Sequence, residues 1–298
     1  MTDSHSTAAP PGSSPSFLAD LWSLGKPRLS SLVIFTAGGG MVLAGGEPDM
    51  ARVLAGIFGT TLVVCSANSL NNYIERETDT RMDRTRTRPL PAGRMNPTIA
   101  LVYGLVMLAV AVPWMALQTT PLATALALVG WVMYVLVYTP LKRRTWLSVF
   151  PGGIAGAMPP LIGWTAVTNA VSLEAFSLFL VLFMWQLPHT FAIGIYRKPE
   201  YDSAGLRTLS LDHSDSTARL HILLWTIALV AATAWTVVIG VGGPLTALGT
   251  AGLGGVFLWK AVKGVRTSGG AVWSRDLFLY SVVYLLGIFI FMAADQVL

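Results

Sequence analysis

From Leu29 almost to the C-terminus, the chain is a succession of apolar runs, each close to the roughly 20 residues a helix needs to cross a hydrocarbon core of about 30 Å. Nothing between these runs is long enough to form a soluble domain. Inside a bilayer every backbone amide must be paired within the chain, so runs of this length dictate helices. Nine spans are predicted, at roughly 29–46, 51–74, 98–117, 121–138, 147–168, 173–195, 219–242, 244–262 and 275–296. Of the 298 residues 53% are hydrophobic and 12% charged, against about 25% charged in soluble domains. The expected fold class is therefore an all-α integral membrane protein of about nine transmembrane helices.

Lys and Arg gather on alternate connections: Lys26 and Arg28, then Arg76 to Arg94, Lys142 to Arg144, Arg197 to Arg207, and Lys263 with Arg266. The connections around Glu47, Thr119, Asn169 and Gly243 carry almost none. Basic loops stay in the cytoplasm, which places the N-terminus inside and the C-terminus outside. The pI near 9.5 follows from that topology. Because the positive charge is confined to membrane-flanking loops, nucleic acid is excluded as a partner. Residues 1–16 are rich in Ser, Pro, Thr and Ala and read as disordered. The domain reading is a cytoplasmic tail at 1–20 and a membrane domain at 21–298. Cys65 is the single cysteine, which rules out an intramolecular disulfide.

Polar groups near a span are costly and therefore informative. The first cluster runs from Asn68 to Arg94. If the second helix continues through Asp83, then Asn71, Glu75, Asp79 and Asp83 recur every fourth residue and share one face. Mg²⁺ keeps several waters and is held by one or two carboxylates together with substrate phosphates. Glu75, Asp79 and Asp83 are the expected metal ligands. Arg84 and Arg88 offer forked donors to diphosphate oxygens, and Asn68, Asn71 and Asn72 offer hydrogen bonds. A solvated helix end with i,i+4 ion pairs would explain the arginines alone. It would not explain asparagines stacked below acids inside an apolar span.

The second cluster is Trp185-Gln186-Leu-Pro188-His189, followed by Arg197, Glu200, Tyr201 and Asp202 at the cytoplasmic end of the sixth span. Pro188 removes a helix hydrogen bond and opens room for a polar pocket. His189 either bonds a neighbouring group or orients a substrate or ligates iron. Both clusters end an even-numbered helix on the same side, four helices apart, so two four-helix halves plus a last helix are expected to face one cavity. The basic loop at Lys142 and Arg143 suits topology and phosphate equally. The run Gly152-Gly153 through Pro159-Pro160 to Trp164 permits close helix packing or leaves space for a large flat ligand.

The stretch Asn71-Asn72-Tyr-Ile-Glu75 to Asp79, continuing through Arg84-Thr85-Arg-Thr-Arg88-Pro-Leu, resembles the first aspartate-rich motif of the UbiA-type membrane prenyltransferases. Tyr138-Thr139-Pro-Leu-Lys142-Arg143-Arg144-Thr145, Gly152-Gly153 to Trp164 and Trp185-Gln186-Leu-Pro188-His189 are similar to the haem-farnesylating branch of that superfamily. The likeness spans about residues 22–295. Glu75 and Glu77 stand where the family often has aspartate, Glu200 replaces the aspartate before Tyr201, and Arg207 stands where proline is expected.

The resemblance implies a nine-helix bundle around a central cavity and an Mg²⁺-dependent enzyme of the inner (cytoplasmic) membrane, with its active-site loops in the cytoplasm. It implies farnesyl transfer from farnesyl diphosphate to haem b, giving haem O. Catalysis is expected at Asn71, Glu75, Asp79 and Asp83, with the diphosphate held by Asn68, Asn72, Arg84, Arg88, Lys142 and Arg143. Arg197, Glu200, Tyr201 and Asp202 form the second motif, and Trp185, Gln186 and His189 anchor the haem. Haem A synthase and oxidase assembly factors are the implied protein partners. An aromatic or quinone-precursor acceptor is the nearest alternative. A transporter would account for membrane-depth polarity but not for acids followed by arginines.

Overall fold

The computed structural model describes residues 16–46 and 49–298, and its regular elements are helical throughout. They are α1 (Phe17–Leu24), α2 (Pro27–Leu43), α3 (Met50–Asp79), α4 (Pro97–Gln118), α5 (Pro121–Val132), α6 (Thr139–Leu141), α7 (Val149–Thr168), α8 (Leu173–Tyr196), α9 (Lys198–Ser203), α10 (Leu209–Asp212), α11 (Asp215–Val238), α12 (Pro244–Arg266) and α13 (Ala271–Asp295). A π-helical segment, Met133–Tyr138, joins α5 to α6, and a 3₁₀ turn, Trp146–Ser148, precedes α7.

The boundaries follow from local chemistry. Side-chain oxygens of Asp49, Asn96, Thr120, Ser172 and Ser214 accept the first free amides of α3, α4, α5, α8 and α11. Proline opens α2, α4, α5 and α12, where its missing N–H costs nothing.

Among the described residues, seven helices are long and apolar enough to cross a membrane: α3, α4, α5 through α6, α8, α11, α12 and α13. The expected spans at 29–46 and 147–168 fall on α2, which has 17 residues, and on α7, which has 20.

The expectation of a disordered tail at 1–20 is corrected at its inner end. Residues 1–15 and Glu47 lie outside the described residues, but Ser16 caps α1, whose Asp20 is buried. The Asp20 carboxylate accepts from Arg94 Nε and Nη2 at 3.0 and 2.8 Å, which ties α1 to the α3–α4 loop.

Where α2 crosses α7, the backbones touch. A Cβ on Gly163 would stand 1.9 Å from the Ala37 carbonyl oxygen, and one on Gly40 would stand 2.1 Å from that of Pro160, so only glycine permits the approach. At the far end of the bundle, Asp295 closes α13 onto the start of α12 by accepting the amides of Gly243, Leu245 and Thr246. Leu54, Leu105, Leu117, Leu248, Trp259, Leu279 and Ile290 point outward, an apolar belt suited to lipid. The end of α3 and the Thr190, Phe191 and Gly194 stretch of α8 line one cavity.

Candidate active site

The end of α3 is built to hold charge. Its helix stops at Asp79, where the Thr85 hydroxyl donates to the Asp79 carbonyl at 2.8 Å and the chain turns back. Glu75 and Asp79, four residues apart, are almost fully buried and line a chamber of about 220 Å³. Five cationic side chains line it with them: Lys26, Arg84, Arg88, Lys142 and Arg207. Asp79 pairs with Arg88 at 2.7 Å, and Glu75 meets the Lys142 ammonium. Glu75 Oε1 has no properly directed hydrogen bond besides that ion pair. Burial works against the Lys142 ammonium, but the Glu75 carboxylate holds its pKa above the usual value. With cations in excess, the chamber is matched to an anion.

The asparagines tie the chamber wall to the α1–α2 turn, and Asn72 also accepts from Arg88 Nη1 at 3.4 Å. Asn68 donates to the Gly25 carbonyl (3.0 Å) and to the Ser30 hydroxyl (3.1 Å), and Asn72 donates to the Leu24 carbonyl (3.0 Å). Neither lines the polar chamber. They satisfy the last carbonyls of α1 and the turn into α2, which a buried helix end requires. Asn71 does line the chamber, donating to Thr139 at 3.0 Å and accepting from Lys26 Nζ at 2.5 Å. Burial and the neighbouring Arg88 push the Lys26 ammonium down to about 7. In the sequence Lys26 stands as a topology signal and in the Leu24-Gly-Lys26-Pro27-Arg28 stretch where the family resemblance begins, not as a site residue.

A second chamber of about 310 Å³ adjoins the first and is mainly apolar. Trp185, Gln186 and His189 of α8 line it, together with Gly152, Gly153 and Gly156 of α7. His189 stacks on Trp185 (ring centroids 4.5 Å apart) and leans on Phe278 (4.6 Å). Its Nδ1 lies 2.7 Å from Ser281 Oγ, which itself donates to the Phe278 carbonyl at 2.6 Å. A hydroxyl has one hydrogen, and Ser281 has used it. With that hydrogen on the Phe278 carbonyl, His189 Nδ1 is the donor to Ser281 and Nε2 keeps its lone pair. Histidine ligands to metals commonly have this arrangement, with the second nitrogen bonded to an acceptor.

Leu29, Tyr134, Tyr138, Val149 and Thr190 border both chambers. Tyr134 and Tyr138 stack at 5.5 Å on the π-helical segment. Pro140 cannot donate to the turn before it, and the Thr139 amide reaches back five residues to the Tyr134 carbonyl, which widens the helix there. Such a bulge re-aims side chains, and here it sets two phenols at the junction.

Several expected site residues stand elsewhere. Asp83 lies four residues beyond the end of α3, exposed and paired with Arg86, so it does not continue the stripe. Arg143 is exposed and bonds Thr78 instead of lining the chamber. Of the second motif only Tyr201 lines the chamber, because Arg197 and Glu200 pair with each other and Asp202 is exposed.

Among the described residues no three His, Cys, Asp or Glu side chains converge on one point. Among these residues a cage made of protein alone is absent, but two buried carboxylates one helical turn apart, each facing a cation that an anionic ligand could draw away, fit Mg²⁺ that shares its coordination with substrate phosphates.

Residues 32–283 match the UbiA prenyltransferase family. A protoheme IX farnesyltransferase of Myxococcus xanthus is 44% identical over 283 residues, 95% of this chain and 96% of the relative. One from Sorangium cellulosum is 45% identical, over 80% of this chain and 85% of the relative. Among solved structures, one concerning digeranylgeranylglyceryl phosphate synthase superposes with a TM-score of 0.80 at 14% identity, covering 94% of this chain and 98% of that one. A UbiA homologue of Archaeoglobus fulgidus bound to GPP and Mg²⁺ gives 0.65 at 13%, covering 92% and 99%. The chain belongs to the UbiA prenyltransferase family, with relatives across nearly its whole length that are named protoheme IX farnesyltransferases.

Proposed function

We propose that the protein transfers the farnesyl group of farnesyl diphosphate to a vinyl group of haem b, giving haem O. The observation that carries this reading is the pair of joined chambers, one charged and one apolar, with the His189 imidazole lining the second. In the reaction the allylic C–O bond breaks and diphosphate takes the electron pair. A C–C bond forms from the farnesyl carbon to the vinyl group, and water adds to the resulting cation and loses a proton.

Arg88, Lys142 and Arg84 receive the diphosphate oxygens. At rest Arg88 and Lys142 neutralise Asp79 and Glu75, so substrate binding exchanges partners instead of exposing charges. Asp79 and Glu75 are then free to hold Mg²⁺, which when bound stabilises the charge that develops on the leaving diphosphate. The junction formed by Tyr134 and Tyr138 separates the departing anion from the apolar chamber, where the prenyl cation is kept from water. Trp185, Gln186 and His189 orient the flat acceptor.

The nine helices cross the inner (cytoplasmic) membrane with the charged chamber at the cytoplasmic face. The haem O product would serve haem-copper oxidase assembly, through haem A synthase or oxidase assembly partners.

The test is to incubate the purified protein with haem b, farnesyl diphosphate, Mg²⁺ and a quinone precursor, then read the products by mass. A haem O mass is expected. Prenylated quinone precursor without haem O would replace this acceptor assignment.

A further inference from the structure

Most cations of the charged chamber already have an acidic partner. Arg88 faces Asp79, Lys142 faces Glu75 and Arg207 faces Asp212. Lys26 and the exposed Arg84 face none among the described residues. Of these two, Lys26 is the partly buried one, and its Nζ has only the neutral Asn71 oxygen to bond.

The backbone around Lys26 is unusual and heavily supported. Lys26 has φ 50° and ψ 60°, a left-handed conformation that a non-glycine residue seldom adopts, and it directly precedes Pro27. The two carbonyls before it are held from three sides: Asn72 on Leu24, and Asn68 and the Ser30 hydroxyl, at 2.6 Å, on Gly25. A strained residue persists only where its surroundings over-determine it, and such residues concentrate at functional sites. The result of this strain is specific, because it directs an unpaired ammonium into the chamber.

We propose that Lys26 binds the prenyl diphosphate, its ammonium taking a phosphate oxygen, and that Asn68, Asn72 and Ser30 are positioning residues that fix the turn carrying it. The idea rests on the prenyl diphosphate half of the proposed function and not on the identity of the acceptor. Desolvation and the nearby Arg88 and Lys142 burden the Lys26 charge, and an anion among them relieves that burden. The competing account is that Lys26 merely pins α2 to Asn71 of α3.

Binding of farnesyl thiodiphosphate with Mg²⁺ to the full chain in lipid nanodiscs, without acceptor, separates the two accounts. Lys26→Met is expected to weaken binding about tenfold or more, Lys26→Arg to recover most of it, and inorganic pyrophosphate to lose competitive strength in parallel. Lys26→Gln keeps a hydrogen bond to Asn71 without the charge, so it remains informative if Lys26→Met does not fold, and it should weaken binding as Met does. Haem affinity should stay within about twofold in all of them. Thiodiphosphate binding unchanged in Lys26→Gln, or haem affinity falling by the same factor, overturns the proposal. A protein that makes no haem O but loses thiodiphosphate binding in Lys26→Gln would sink the acceptor assignment and leave Lys26 in place.

Discussion

Helices α3 and α8 both bring polar residues to joined chambers, yet they use them in opposite ways. On α3 the charged groups face the cavity directly: Glu75 and Asp79 line it, each paired with a cation from another segment. On α8 the acids that follow the helix turn away, and what faces the cavity is aromatic and neutral: Trp185, Gln186 and His189. One end is suited to exchanging ion pairs with a phosphate ligand. The other is suited to a flat apolar molecule with one polar anchor. The division of labour follows from where the acids point: Glu75 and Asp79 line the charged chamber, whereas Glu200 pairs with Arg197 away from it and Asp202 is exposed.

The sharpest way to break this contrast is to neutralise one acid from each helix. Asp79→Asn removes a chamber carboxylate and leaves Arg88 without its counter-charge, so turnover should fall roughly 10²–10³-fold while protein level holds. Glu200→Gln alters an acid that pairs with Arg197 and does not line the chamber, and activity should stay within about threefold. Steady-state kinetics at saturating Mg²⁺ decides the matter. Equal losses would mean that the second motif enters the reaction and that the asymmetry is false.

The apolar side is tested through His189. His189→Ala should weaken haem binding about 10–100-fold and shift the haem absorption spectrum, with farnesyl thiodiphosphate binding untouched. Ser281→Ala removes the acceptor that fixes the Nδ1 proton, so it should give a smaller loss of the same kind. An unchanged haem spectrum in His189→Ala would reduce His189 to a stacking partner of Trp185 and Phe278.

The sequence made these regions unequally legible. The helices were visible because apolar runs are bracketed by caps such as Asn96-Pro97 and Thr120-Pro121, which are local signals. The end of α3 was misplaced by one turn because a four-residue spacing extrapolates through Thr80, whereas the actual stop depends on Thr85 folding back onto Asp79. The asparagines were recognisable as costly, but their partners lie 43 and 48 residues away, at Gly25 and Leu24. Helix α7 uses its small residues for close packing: Gly163 packs against α2, while Gly152, Gly153 and Gly156, in the wall of the apolar chamber, accommodate Tyr138, Phe183 and Gln186. Lys26 was hidden by its context, because a lysine before a first span is what topology alone would place there.

The smallest expected effect is one of pH, and it bears only on the charged side. The groups that bear on Lys26 are Arg88 and Lys142, which lower its pKa, and Glu75 and Asp79, which raise it, with burial dominating and the net value near 7. Below that value the ammonium is charged and attracts the anion; above it the amine is neutral and does not. Affinity for inorganic pyrophosphate with Mg²⁺ should therefore fall as pH rises through about 7, by at most about tenfold per unit because a single proton is linked. Pyrophosphate itself gains charge over the same range, which acts in the other direction. Lys26→Arg keeps that ligand contribution and removes the titration, so the difference between the two profiles isolates the lysine. Binding profiles that superpose would show that Lys26 does not meet the phosphate. A matching pH dependence in haem affinity that Lys26→Arg also removes would erase the distinction between the two chambers.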